Sequence, residues 1–230
     1  MKLPHLTGIG LCIAAGLATP ALADEPAYSL VAGPAFAQFH AQSTDLSGPP
    51  GTTPPGATIG VKDLQTLAIE ASKNLGHGWS VSLAFGVPPK ATFTAQGSAA
   101  ALGSVGSARA WFPALLATYR FGAYGGVRPY VGGGVNYTFY TDTQIGENFT
   151  QAFGGTSSTG KLKASFGPVV KAGVEVPLMD AWFMTAGYTR YGIRTRAEVT
   201  TQTPGVGAIT RKLTLRSDPG VWTVMIGRSF

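Results

Sequence analysis

His40, Ser43 and Asp45 lie within six residues of one another and are the residue types of a hydrolytic triad. In a triad a hydroxyl attacks, an imidazole takes its proton and a carboxylate orients the imidazole. Such groups come from distant parts of a fold, so three neighbours in one stretch read as local crowding. Of the other histidines, His5 sits at the start of the chain and His77 in the turn Asn74-Leu75-Gly76-His77-Gly78. No His, Asp and Glu grouping has metal-ligand spacing. Gly132-Gly133-Gly134 is not followed by a helix start, so it is no phosphate-cradling loop. The expectation is a protein without a cofactor that is not an enzyme.

The remaining chemistry lies in polar and charged side chains on alternate positions of apolar segments: Glu70, Arg120, Asn136, Lys163, Lys171, Glu175, Arg190, Arg194 and Arg196. Buried charges need partners, so Glu70 and Glu175 are expected to pair with some of these cations. A second set, Phe39, Phe93, Tyr140, Phe149 and Phe153, falls near segment ends and loops. These rings could wall an apolar pocket, or equally serve as interface or loop-packing aromatics.

Strands position both sets. From Arg128 to Tyr140, Val131, Gly133, Val135, Tyr137 and Phe139 fall on one face and Tyr130, Gly132, Gly134, Asn136, Thr138 and Tyr140 on the other. Similar alternation runs through Tyr28–Gln42, Val61–Ser72, Trp79–Val87, Ala110–Phe121, Lys161–Val176, Phe183–Arg196 and Arg211–Phe230. The facing of the first segment is ambiguous. In Phe183–Arg196 the alternation predicts Phe183, Thr185 and Ile193 outside, with Met184, Tyr188 and the arginines inside. The run Gly48-Pro-Pro-Gly-Thr-Thr-Pro-Pro-Gly56 is neither helix nor ladder. Gln96–Ser107 is too small-sided to pack a core, a short helix is expected near Glu147–Phe153, and a loop near Thr200–Ala208.

Connections alternate short and long, matching inner turns and outer loops of a membrane barrel. The segments suit the roughly 9–11 tilted residues that cross a bilayer. An even count brings both ends to the inner side. Residues 1–23 read as a secretory signal: Met1-Lys2, the apolar run Leu6–Ala18 and the cleavage pattern Ala21-Leu22-Ala23, leaving residues 24–230 as the barrel. Cys12, the single cysteine, lies in that run, so the mature chain has neither disulfide nor thiol nucleophile. Losing Lys2 leaves 16 basic against 11 acidic side chains, a net +5. The cations are scattered singly, which argues against nucleic acid.

The fold class is therefore all-β, an eight-stranded antiparallel transmembrane β-barrel; the alternative is a secreted soluble barrel or sandwich. Aromatics at segment ends, such as Trp79, Tyr137, Phe139, Trp182 and Trp222, and the terminal Phe230 favour the membrane. So narrow a barrel is filled by side chains or holds one small ligand. An ion-pair plug, a polar solute route and an apolar pocket in the outer half all stay open. Pro113 and Pro168 remove ladder donors and mark candidate wall openings.

The chain resembles the OmpW family in the blocks Arg128–Tyr140, Ser165–Pro177, Trp182–Ile193 and Asp218–Phe230. It departs in ending Arg228-Ser229-Phe230, where the family usually ends Tyr-Arg-Phe, and in the Pro-rich first loop. The resemblance implies a Gram-negative outer-membrane barrel for passive uptake of small hydrophobic molecules, which enter from outside and leave sideways into lipid. The implied partners are outer-membrane lipid and lipopolysaccharide, small hydrophobic ligands and the barrel-assembly machinery through Phe230. The alternative is a structural or surface-interaction barrel with a plugged lumen.

Overall fold

The computed structural model describes residues 26–230; the expected signal 1–23, with Cys12, lies outside them. In chain order the strands are β1 (Tyr28–Gln38), β2 (Gln42–Ser43), β3 (Ala57–Val61), β4 (Leu64–Gly76), β5 (Trp79–Gly86), β6 (Lys90–Gly97), β7 (Ser104–Trp111), β8 (Ala114–Arg120) and β9 (Arg128–Ile145). The helix α1 (Glu147–Ala152) follows, then β10 (Ser157–Leu162), β11 (Ser165–Pro177), β12 (Trp182–Tyr191), β13 (Ile193–Thr203), β14 (Gly207–Ser217) and β15 (Gly220–Ser229).

Eight strands, ordered β11-β12-β15-β1-β4-β5-β8-β9, form an antiparallel sheet that the β9–β11 pairing closes. Closure satisfies every strand edge, which lipid requires, because an unpaired backbone group there costs several kcal/mol. The barrel is apolar outside and polar inside. Leu67, Val81, Leu83, Leu115, Val135, Val170, Val224 and Ile226 are exposed, whereas Ser80, Ser82, Thr118, Asn136, Thr138 and Thr185 are buried. A water-facing surface would reverse this arrangement. Both ends of the described residues sit on one side, pinned by the Phe230 N–H donating to the Tyr28 carbonyl at 2.8 Å.

Seven of the eight long segments read from the sequence are interrupted at a common level above the barrel; only β9 runs through. The breaks carry prolines 88, 89, 113 and 219, which have no N–H for a ladder, and Gly192. Above this waist the chain does not end in loose loops. The sheet β3-β6-β7 with the upper end of β9, and the sheet β2-β14-β13-β10, enclose a second core around Leu46, Ala57, Val105, Phe149, Val199, Leu213 and Leu215. This corrects two expectations. Gln96–Ser107 contributes buried Val105 and Ser107 to a sheet, and Thr200–Ala208 is a tight hairpin joining β13 to β14.

Candidate functional site

The lumen is crossed by charge pairs. Lys171 Nζ lies 2.6 Å from Glu70 Oε1, and the Tyr130 ring centroid lies 5.1 Å from the same ammonium. Four residues nearer the inner end of β11, Glu175 accepts from Arg120 Nε at 3.0 Å. Arg120 Nη1 also donates to Asn74 Oδ1 and Ser80 Oγ, and Arg128 Nη1 approaches Glu175 Oε1 at 3.9 Å. Each carboxylate thus has a cation, as a low-dielectric interior demands. The glycines opposite make room for the ring: a Cβ at Gly173 or Gly187 would run into the Tyr130 hydroxyl. Val31, Phe183 and Met225 add an apolar cluster to the lumen.

Above the Lys171–Glu70 pair is a cavity of about 70 Å³ walled by Phe39, Phe112, Leu116, Tyr191, Ile193 and Met225. Leu67 and Phe85, exposed on the outer wall, line it too. A second, almost wholly apolar cavity of about 50 Å³ lies in the outer core, among Ile59, Phe93, Val105, Ile145, Phe149, Leu162 and Leu213. Beside the first cavity the wall has a seam. The β5–β8 ladder stops at Ala84–Ala114 and the β6–β7 ladder resumes at Lys90–Arg109. Between them a single backbone bond crosses, from Ala110 N–H to the Pro89 carbonyl.

The residues singled out from the sequence separate into groups. Glu70, Arg120, Lys171 and Glu175 meet in the lumen. Asn136 is buried there, donating from Nδ2 to Thr138 Oγ1 at 2.8 Å. Phe39 faces the lower cavity, Phe93 and Phe149 the upper one. Phe153 packs on Phe149 with ring centroids 4.6 Å apart, and Tyr140 shares a hydrogen bond of 3.0 Å with Thr195 Oγ1. Pro113 borders the seam. Pro168 does not border a comparable gap, because its carbonyl accepts from Gly192 N–H at 2.8 Å and Ser165 Oγ accepts from Arg194 N–H at 3.1 Å.

Four cations do not reach the lumen. Arg190, Arg194 and Arg196 are exposed on the outer surface. Strand β12 turns Phe183 and Thr185 inward and Trp182 and Met184 outward, the reverse of the expected register, because the inner end of the lumen takes an apolar side chain. Lys163 also points outward, its side chain 60% exposed, since the break before β11 shifts the alternation. The sequence reading missed Arg211, which is only 2% exposed in the outer core. Its Nε donates to the Thr52 carbonyl at 3.1 Å and its guanidinium lies 4.2 Å from the Phe153 ring centroid. Its parity with Leu213 and Leu215 was the available signal.

A closed eight-stranded barrel with an apolar outer belt and a charged lumen is an outer-membrane barrel of a Gram-negative bacterium. Residues 37–230 match the model of the OmpW family, and the chain belongs to that family. It is 28% identical to outer membrane protein W of Vibrio cholerae over 213 residues, covering 88% of this chain and 94% of that one. It is 24% identical to the dibenzothiophene metabolism operon protein PahQ of Pseudomonas aeruginosa over 219 residues, 93% of each. Among solved structures it superposes on OprG of Pseudomonas aeruginosa with a TM-score of 0.78 at 23% identity, covering 90% of this chain and 97% of that one.

Proposed function

We propose that the chain assists passive uptake of small hydrophobic molecules across the outer membrane, without catalysis. The observation that carries this reading is the order of the lumen: apolar cavities above, an ion-pair barrier below. An apolar solute entering from outside finds Phe93 and Phe149 first and Phe112 and Leu116 next. It meets paired charges further in, where desolvating them opposes passage. The seam beside Pro113 offers the sideways exit into lipid. A name tied to dibenzothiophene metabolism, given to PahQ, fits a family handling apolar compounds.

The polar groups nearest a hydrolytic set are engaged in the fold: Ser43 Oγ accepts from Ile59 N–H and Asp45 Oδ2 from Gly56 N–H. The packed outer core supports the second reading, a structural barrel acting through its surface alone. Dye accumulation in cells with an intact outer membrane, with and without the chain, separates the two. Faster accumulation of an apolar dye, with a hydrophilic dye of similar size unchanged, is expected; equal accumulation of the apolar dye would end the uptake reading.

A further inference from the structure

We propose that the outward face of the β10–β13–β14 sheet, just above the membrane belt, binds the phosphates of an outer-leaflet glycolipid of lipopolysaccharide type. The site depends on the outer-membrane location and not on the uptake reading.

The face carries a dense, one-sided charge. Arg194 on β13 stands directly opposite Arg216 on β14, and Arg196 follows on the same face. Like charges directly opposite in an antiparallel pair are destabilising; Asp218 offsets Arg216 alone, which leaves Arg194 as the member that an anion from outside would satisfy. Arg190 continues the column at the top of β12. Among the described residues, no carboxylate lies within 4 Å of Arg190, Arg194 or Arg196. The neighbouring acids are already shared: Glu198 lies 3.9 Å from Lys163 and 3.8 Å from Lys212, and Asp218 is held by Arg216 at 2.9 Å.

The charge is also confined to one height. Farther from the barrel the same sheet pairs Thr200 with Thr210 and Gln202 with Ala208, all uncharged. Toward the barrel Tyr188 packs on the exposed Trp222, ring centroids 4.8 Å apart, and Val224 and Ile226 begin the apolar belt. Tyr and Trp at this position mark the membrane interface, so the arginines stand where lipid phosphates lie. Guanidinium forks match phosphate oxygens in bidentate geometry. On the opposite outer sheet Lys90 likewise stands across from Arg109, which Asp142 holds at 3.0 Å, but no column of three arginines without a carboxylate follows it.

The test uses the folded chain in nanodiscs titrated with a diphosphorylated glycolipid, the same lipid after dephosphorylation, and inorganic phosphate. Wild type is expected to bind the phosphorylated lipid at least tenfold more tightly than the dephosphorylated one, with inorganic phosphate at equal concentration displacing none. Combined Arg190→Gln, Arg194→Gln and Arg196→Gln should lose at least tenfold. Combined Lys62→Gln, Lys73→Gln and Lys90→Gln, with the same change in net charge, should not. Equal binding of the two lipids by wild type would overturn the proposal whether or not the variants fold. Displacement by inorganic phosphate, or a triple arginine variant that binds like wild type, would overturn it too.

Discussion

Lys171 and Glu70 meet across the full width of the barrel: β11 and β4 are four strands apart in either direction, yet Nζ and Oε1 lie 2.6 Å apart. Their side chains are only 9% and 12% exposed. Removing one partner strands a buried charge at a cost of about 3–5 kcal/mol, whereas removing both is near neutral. Lys171→Met or Glu70→Gln alone should therefore lower unfolding free energy in urea by about 3 kcal/mol, and the double variant should recover most of it. Additive losses would show that the two groups are not coupled.

The same barrier predicts conductance. Lys171→Ala with Arg120→Ala removes the two more buried of the three lumen cations and should open a water-filled path. Planar-bilayer recordings should then show steady single-channel current where wild type shows none. A silent double variant would mean that the Val31–Phe183–Met225 cluster closes the lumen by itself.

Tyr130 and Gly187 fit by the absence of a side chain. Gly187→Ala drives a methyl into the Tyr130 hydroxyl, and such overpacking costs about 1–3 kcal/mol. Tyr130→Phe removes the obstructing atom, so the pair should regain most of the loss in the same urea assay. No recovery would place the strain elsewhere.

Arg211 fastens the first outer loop through the Thr52 carbonyl and the Phe153 ring. Burial lowers its pKa from the ordinary arginine value, yet it stays charged because arginine starts so high. Arg211→Met keeps the bulk and drops the hydrogen bond and the cation–ring contact, together about 1–3 kcal/mol. Limited proteolysis between Gly48 and Gly56 should quicken severalfold while the barrel stays folded. Unchanged cleavage would remove Arg211 from the account of the loop.

Much of this architecture was legible because a barrel strand repeats every two residues. Val131, Val135 and Tyr137 against Asn136 and Thr138 identify both faces without ambiguity. Alternation fails where the backbone breaks it. Asp142, with φ +51°, and the interruption at Lys163 each reset the parity, and sequence period carries no trace of that; across Gly192 the odd positions stay inward from Phe183 to Thr201. Hydrophobicity also misled in β12, where Phe183 belongs to an apolar lumen cluster and not to the lipid face. The ion pairs were legible as types and not as partners, since Lys171 and Glu70 are 101 residues apart. The outer core was missed because small residues such as Ala95 and Val105 pack well only when two sheets bring them together.

The proposed sideways exit for an apolar solute is the seam between Phe85–Pro89 and Ala110–Pro113. Continuing the Ala84–Ala114 register places Val87 opposite Trp111, both exposed on the lipid side. Val87→Cys with Trp111→Cys allows a disulfide to staple the seam. Apolar dye accumulation in intact cells, measured with the staple formed and again after reduction, tests the exit directly. The account predicts accumulation at the level of cells lacking the chain when stapled and wild-type accumulation when reduced. Equal accumulation in both states, with the disulfide verified by mass, would contradict it.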